Sequence, residues 1–280
     1  MKDMGADDLK QAELSILREF IRVCDSLGLK YYLLGGSMLG AVRHRGFIPW
    51  DDDIDVGMPR RDYQRFLRQG KSLLPERLFL QNLYTDPEVL HNITKLRDSS
   101  TTFIETSVKD RRINHGVFID IFPLDVYPDD PRSRSRIERG AKWASRRIYL
   151  AYTLPPELKP RGLKALGLRV LGCLAVLRFP RTIDALRRRE ALYSAEHSGS
   201  LIANYCGAWG KKEYVPASWY GEGVPARFED LEARIPDRAE LWLTQVYGDY
   251  MRLPPPEKRK AHHYAERIDT ARPYTQFLSG

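Results

Sequence analysis

The chain has 280 residues, enough for one large domain or two small ones with a real core. Its 42% hydrophobic and 29% charged residues are those of a soluble globular protein, and no internal repeat or low-complexity tract is present. The net charge of +8 is unevenly spread: residues 131–189 hold 16 Lys/Arg and 3 Asp/Glu, a balance of +13 that leaves −5 for the rest.

In chain order, residues 6–27 read as an amphipathic helix, with Leu14, Leu17, Ile21 and Cys24 at spacings of three and four. Gly28 fits the position just past its end. Tyr31–Leu34 reads as a short buried strand, ended by a Gly-Gly-Ser turn. MLGAVRH can form one or two helical turns, and RGFIPW is a loop. From Asp53 the run DDIDVGM alternates as a strand, with Asp53 and Asp55 on one face and Ile54 and Val56 on the other. Pro59 ends it, and RRDYQRFLRQGKSLL is a second helix. HNITKLRDSSTTFIET reads as two short strands around a polar turn, and Val117–Phe122 as a strand closed by Pro123. Helices are predicted over 132–151, 162–178, 182–197 and Asp237–Tyr247. This order predicts an α+β (or α/β) core followed by a mainly helical C-terminal half. The polar start MKDMGADDLKQAE lacks an apolar h-region, so no signal peptide is expected. Cys24, Cys173 and Cys206 lack CxxC spacing and indicate neither a disulfide framework nor a zinc site; reduced thiols in the cytosol are the simplest account.

The stretch GGSMLGAVRHRGFIPWDDDIDVGM, residues 35–58, carries the chemistry. Gly36 and Ser37 expose backbone N–H groups and a hydroxyl where a helix N-terminus adds positive potential, which suits phosphate oxygens. Two carboxylates at i and i+2 on a strand face lie roughly 7 Å apart at their Cα atoms. In an apolar strand they repel each other unless a cation lies between them, and Mg²⁺ (or Mn²⁺) prefers carboxylate and phosphate oxygens. Asp51 shares the parity of Asp53 and Asp55, so an Asp51/Asp53 pair is an alternative. Asp53/Asp55 is preferred because hydrophobic residues flank Asp55 on both sides, whereas Asp51 and Asp52 read as an approach loop. The third acid expected is Asp120, a lone carboxylate in VFIDIFP, with Asp125 as second choice.

This pattern resembles the nucleotidyltransferase superfamily and, within it, the LicD family of phosphotransferases, relatives of fukutin-related protein. The resemblance is carried by KYYLLGGSMLGAVRHRGFIPWDDDIDVGMPRRDYQRFL, GVFIDIFPLD and VYGDYMRLPPPEKRKAHH. It implies a nucleotidyltransferase-like mixed sheet core with flanking helices. It also implies transfer of phosphocholine, or a similar phospho-alcohol, from CDP-choline or a related CDP donor to a glycan hydroxyl, as in teichoic acid decoration. On that resemblance Gly36 and Ser37 touch donor phosphates, Asp53, Asp55 and Asp120 hold one or two metal ions, and Arg43 sits near the phosphates. The division that follows is a catalytic core over 1–130, a basic helical region over 131–200, and a substrate or acceptor region over 201–280 packed on the core.

Several residues keep two readings. Lys95 and Arg97 of TKLRD add positive charge at the site or are solvated surface residues. His44, His262 and His263 stand near motif positions and weigh less than the acids. Tyr205, Trp209, Tyr214, Trp219 and Tyr220 offer aromatic faces to a quaternary ammonium, and Glu229 and Asp230 offer charge. The segment 161–189 holds an apolar run of about 16 residues, short of the ~20 that span a bilayer. It reads as a core helix, a contact with the inner face of the membrane, or a contact with a polyanionic glycan or lipid-linked glycan acceptor. Nucleic-acid binding is not expected, since aromatics are not interleaved with the charges. Nucleotidyl transfer from an NTP and a non-catalytic membrane-associated scaffold are the competing functions.

Overall fold

The computed structural model describes residues 6–86, 88–89, 91–152, 179–259 and 265–277. The predicted helix over 162–178 lies outside them, as do Cys173, His262 and His263. Helix α1 (Ala6–Leu27) has the predicted bounds and ends on Gly28 at φ 59°, where a left-handed backbone suits glycine. It leads into β1 (Tyr32–Leu33), α2 (Gly35–His44), β2 (Asp55–Pro59) and α3 (Arg60–Gln69). Then follow β3 (Leu78–Gln81), β4 (Thr94–Asp98), β5 (Thr102–Glu105) and the long β6 (Val117–Tyr127). Helices α4 (Pro131–Tyr152) and α5 (Phe179–Tyr193) precede β7 (Leu201–Ala203), β8 (Tyr214–Pro216) and α6 (Ala217–Tyr220). The chain closes with β9 (Val224–Phe228), β10 (Leu231–Ile235), α7 (Ala239–Tyr247) and β11 (Ala265–Asp269).

The main sheet runs β1-β2-β6-β4-β3, with β7 added on β6 and β8 on β7. Only β2 and β6 are parallel, so the sheet is mixed. The sequence of β6 alternates, and the alternation decides its faces. Val117, Ile119 and Ile121 are fully buried and point to one side, where α1 and α3 pack. Leu17, Phe20 and Val23 of α1 and Phe66 of α3 complete that core, each at 0% exposure. Burying such a side chain contributes about 1.5–3 kcal/mol. Phe118, Asp120 and Phe122 point to the other side, where the site lies.

Two expectations need correction. Pro123 does not close β6, which runs on to Tyr127. The Asp120 N–H donates to Ile54 O at 2.8 Å, so the N–H positions of odd-numbered neighbours face away from β2. On that side the pairing with β4 ends at Ile121 and the pairing with β7 begins at Asp125. Pro123 falls in the gap between the two partners, where no acceptor needs its missing N–H. The second concerns the C-terminal half, whose described residues hold strands beside the helices: β7 to β11 lie between residues 201 and 269, and β11 pairs with β5. Short strands separated by Gly, Pro and aromatic residues read as loops when their pairing partners are distant in sequence. No described helix is long and apolar enough to cross a membrane.

Candidate active site

The register of the sheet builds the site. Asp55 of β2 lies opposite Asp120 of β6, and Asp120 lies opposite Lys95 of β4. Directly paired residues share a face, so one straight row reads Asp55, Asp120, Lys95. Asp55 and Asp120 of this row open onto a cavity of about 480 Å³. Asp51, Asp53, Asp55 and Asp120 supply its acidic lining, Gly35 and Gly36 a stretch of bare backbone, and Trp50, Phe122, Trp209 and Tyr247 its aromatic lining.

The two glycines differ from the expected turn. They are the first residues of α2 itself, and Gly35 takes φ 50°. A methyl group on Gly36 would overlap the Asp51 carboxylate, and one on Gly35 would lie 3.2 Å from Asp55 Oδ2. Glycine is required here because carboxylates approach the helix backbone closely. The positive end of α2 thereby faces negative charge. Ser37 does not line the cavity: its Oγ accepts the Asp55 N–H at 2.9 Å and ties the start of β2 to α2.

Charge is concentrated on Asp55. Burial pushes its carboxyl well above the usual range, and Asp53, Asp120 and Asp51 push it further, with Lys95 opposing. The one trio of carboxylates that could share an ion, among the described residues, is Asp51, Asp52 and Asp53, whose ligand atoms lie within 4.8 Å of one another. Asp55 and Asp120 face the same cavity as two of the trio. Asp51 therefore belongs to the acidic lining, beyond the approach-loop role that its position after Pro49–Trp50 suggested. Beneath this loop, Glu13 of α1 is 2% exposed. Burial, then Asp53, Asp52 and Asp51, push its carboxyl well up. The donor set is hard oxygen with crowded negative charge, which fits Mg²⁺ or Mn²⁺.

The cations are placed differently from expectation. Lys95 and Arg97 are buried, so neither is a solvated surface residue. Lys95 Nζ lies 3.0 Å from Asp120 Oδ1 and 3.4 Å from the centroid of the Phe118 ring. It supports Asp120 from the side and does not line the cavity. Arg97 donates to Gln81, the Gly116 carbonyl and Glu105. Arg43 also lies outside the lining, with Nη1 donating to Tyr250 O at 2.6 Å and Nε to His44 Nε2 at 2.9 Å. Burial and the neighbouring Arg259 push Arg43 down from its ordinary value. Arg259 itself sits 5.3 Å from the Trp50 ring centroid. Asp125 is held in two hydrogen bonds by Arg60, at 2.7 and 2.8 Å, away from the cavity.

Of the five C-terminal aromatics, Trp209 alone reaches the cavity. Tyr205 stacks on Tyr193 at 4.2 Å and meets Tyr214 edge-on at 5.6 Å. Tyr220 is buried against Tyr32, and Trp219 packs on the core. Glu229 accepts the Phe47 N–H, and Asp230 pairs with Arg18, so neither faces the site. Sequence reasoning missed Trp50, Phe122, Asn204, Cys206, Glu213 and Tyr247. Glu213 is 3% exposed and is held by the Trp209 N–H at 2.9 Å and Asn204 Nδ2 at 2.8 Å. Burial pushes its carboxyl up against those two donors. Burial and the Asp55 charge push the Tyr247 phenol up, so it stays a proton donor. Cys24 and Cys206 are free thiols, and burial pushes Cys206 up to about 11. A tyrosine at the end of a helix, or a glutamate in GKKEY, carries no local signal of this role.

Residues 28–148 match the family described as LicD/FKTN/FKRP, nucleotidyltransferase domain. The lipopolysaccharide cholinephosphotransferase LicD of Haemophilus influenzae is 32% identical over 277 residues, covering 95% of this chain and 98% of that protein. The ribitol 5-phosphate transferase FKRP of Homo sapiens is 47% identical over 53 residues, 18% of this chain and 11% of that protein.

Proposed function

The chain belongs to the LicD family, and from that premise we propose that it is a metal-dependent phosphotransferase moving phosphocholine from a CDP-activated donor to a glycan hydroxyl. The observation that carries this reading is the lining of one cavity by both kinds of group: the carboxylates Asp51, Asp53, Asp55 and Asp120, and the aromatics Trp50, Phe122, Trp209 and Tyr247 with Glu213. The acidic lining suits a metal that binds a diphosphate. The aromatic lining with a buried carboxylate suits a quaternary ammonium, which cannot donate hydrogen bonds and is held by ring faces and negative charge.

Asp51, Asp53, Asp55 and Asp120 would hold Mg²⁺ or Mn²⁺, which supplies neutralisation of phosphate charge. In the transfer, an acceptor oxygen forms a bond to the choline-bearing phosphorus, and the bond from that phosphorus to the CMP oxygen breaks. The hydroxyl proton passes to a carboxylate oxygen of Asp120, whose orientation is fixed by Lys95. The α2 N-terminus adds positive potential beside the diphosphate. Tyr247, protonated over Gly35, offers a hydroxyl donor to a phosphate oxygen.

The test is CMP release from CDP-choline by the purified protein, with Mg²⁺ or EDTA and with or without lipopolysaccharide-type glycans. Release that requires the metal and is accelerated by glycan is the expected result. Turnover of ATP with none of CDP-choline would replace this reading by nucleotidyl transfer. Turnover of CDP-ribitol in preference to CDP-choline would keep the reaction and overturn the choline cargo.

A further inference from the structure

Among the described residues, the two non-glycine positions with left-handed backbone sit on either side of one hydrogen bond. Arg45 (φ 60°) ends α2, and Glu229 (φ 57°) begins the two-residue turn between β9 and β10. The Glu229 N–H donates to Arg45 O at 2.8 Å. Two residues after Arg45, the Phe47 N–H donates back to Glu229 Oε1 at 2.9 Å. A hairpin turn favours glycine where φ is positive, so a glutamate there works against its own turn. Backbone held in a disfavoured region points to a use for the side chain that it places.

That use follows from what the contact holds. Residues 45–54 connect α2 to β2 and carry Asp51, Asp52 and Asp53. Glu229 grips the start of this connection at two points, Arg45 and Phe47. Gly46 between them is buried, and a Cβ there would overlap the Glu229 carboxylate. The Phe47 ring meets the Phe228 ring at 5.0 Å. Ile48 O accepts the Asp51 N–H at 2.9 Å, so a single turn separates the clamp from the acidic lining. The hairpin is a firm base, since Phe228 and Ala233 are fully buried and Asp230 pairs with Arg18 of α1 at 2.7 Å. Glu229 itself is exposed, and a hydrogen bond from such a side chain adds little to global stability. We propose that Glu229 is a positioning residue that holds the Asp51–Asp53 loop in the geometry that binds the metal ion. This rests on the reading of these aspartates, with Asp55 and Asp120, as the ion's ligands.

The experiment measures Mn²⁺ binding by the full chain stripped of metal, hydrogen exchange at the amides of residues 46–53, and thermal melting. In Glu229→Ala, Mn²⁺ affinity should fall roughly tenfold or more. Exchange over 46–53 should quicken, and the melting temperature should stay within a few degrees of the parent's. Glu229→Gln should match the parent, because its amide oxygen still accepts the Phe47 N–H. Gly46→Ala should reproduce Glu229→Ala from the other side. It also carries the test if Glu229→Ala fails to fold, because the group it displaces is the flexible end of a side chain. Parent-like Mn²⁺ affinity in the folded variants overturns the proposal even where loop exchange quickens, since Glu229 is then structural only. Glu229→Gln as weak as Glu229→Ala overturns it too, because the hydrogen bond to Phe47 would not be what matters. Failure of the parent chain itself to bind Mn²⁺ removes the metal reading of the aspartates, and the proposal with it.

Discussion

One face of one sheet carries two polar regions that handle charge in opposite ways. Toward β2, Asp55 feels Asp53, Asp120 and Asp51 against the amine of Lys95, and burial with these charges pushes its carboxyl up. Toward β3, Arg97 is 1% exposed yet fully bonded, to Gln81, the Gly116 carbonyl and Glu105. Gln81 in turn donates to Asp86 and the Asn114 carbonyl. Both regions are polar and enclosed, so burial alone does not separate site from scaffold. What separates them is whether the protein's own groups finish the electrostatics. The β3 side is complete as folded, and the β2 side gathers like charge around a cavity, which costs stability unless a ligand supplies the opposite sign. Lys95 stands at the border, 3.0 Å from Asp120 and 3.9 Å from Glu105.

The largest expected effect tests the unfinished side. Asp55→Asn should cut transfer by at least ten-thousandfold, about 5.4 kcal/mol of barrier, while the metal-free protein melts at the same temperature or higher. The stability half of this expectation follows because the amide removes the charge that its neighbours disfavour. A variant with a much lower melting temperature would mean that Asp55 is a structural anion. The next effect tests the finished side. Arg97→Ala should destabilise the fold by about 3–5 kcal/mol, because it strips three acceptors of their donor in a closed interior. Per folded molecule, kcat/KM should stay within a few-fold of the parent. A stable Arg97→Ala protein that has lost catalysis would move Arg97 into the site and erase the contrast.

Gly36→Ala comes third. The added methyl must displace the Asp51 carboxylate or tilt α2, and a misplacement of about 1 Å costs roughly a hundredfold in rate. Thermal stability should change little, since the group that moves borders a cavity. Unchanged activity would remove Asp51 from the acidic lining.

How much of this was legible depended on how local each signal was. The 3.6-residue stripe of α1 and the alternation of VFIDIF are written within single segments, so both elements and the face of Asp120 could be read. The shared parity of Asp51, Asp53 and Asp55 was equally local, but loop character hid Asp51, whose side chain still reaches the cavity. Lys95 and Arg97 kept a solvated reading beside the site one because lysine and arginine usually are solvated. Their burial follows from register, which sets Asp120 opposite Lys95 and Phe118 opposite Arg97, and register is a property of two strands at once. Glu213 and Tyr247 lie far along the chain from Asp55, and only tertiary folding brings them to the same cavity. Pro123 misled for a similar reason, because a strand that changes partners halfway has a position where a proline is harmless.

The smallest expected effect asks how far the unfinished region extends beneath its surface. Glu13 does not line the site's cavity, yet burial and then the Asp53, Asp52 and Asp51 charges raise its carboxyl, with Lys10 opposing. A raised carboxyl means that the folded state holds the proton more tightly than the unfolded chain, where glutamate ionises near 4.3. The stability this gives is complete below about pH 4 and is lost as pH rises through the folded value. Glu13→Gln has no proton to lose, so its stability, read from melting curves, should match the parent's near pH 4 and exceed it increasingly toward pH 8, by roughly 1–3 kcal/mol. Saturating Mg²⁺ should narrow the gap, because an ion on the aspartates removes part of the repulsion. If the two proteins instead keep parallel melting curves across that pH range, Glu13 is neutralised within the fold as Arg97 is, and the boundary between the regions runs above α1.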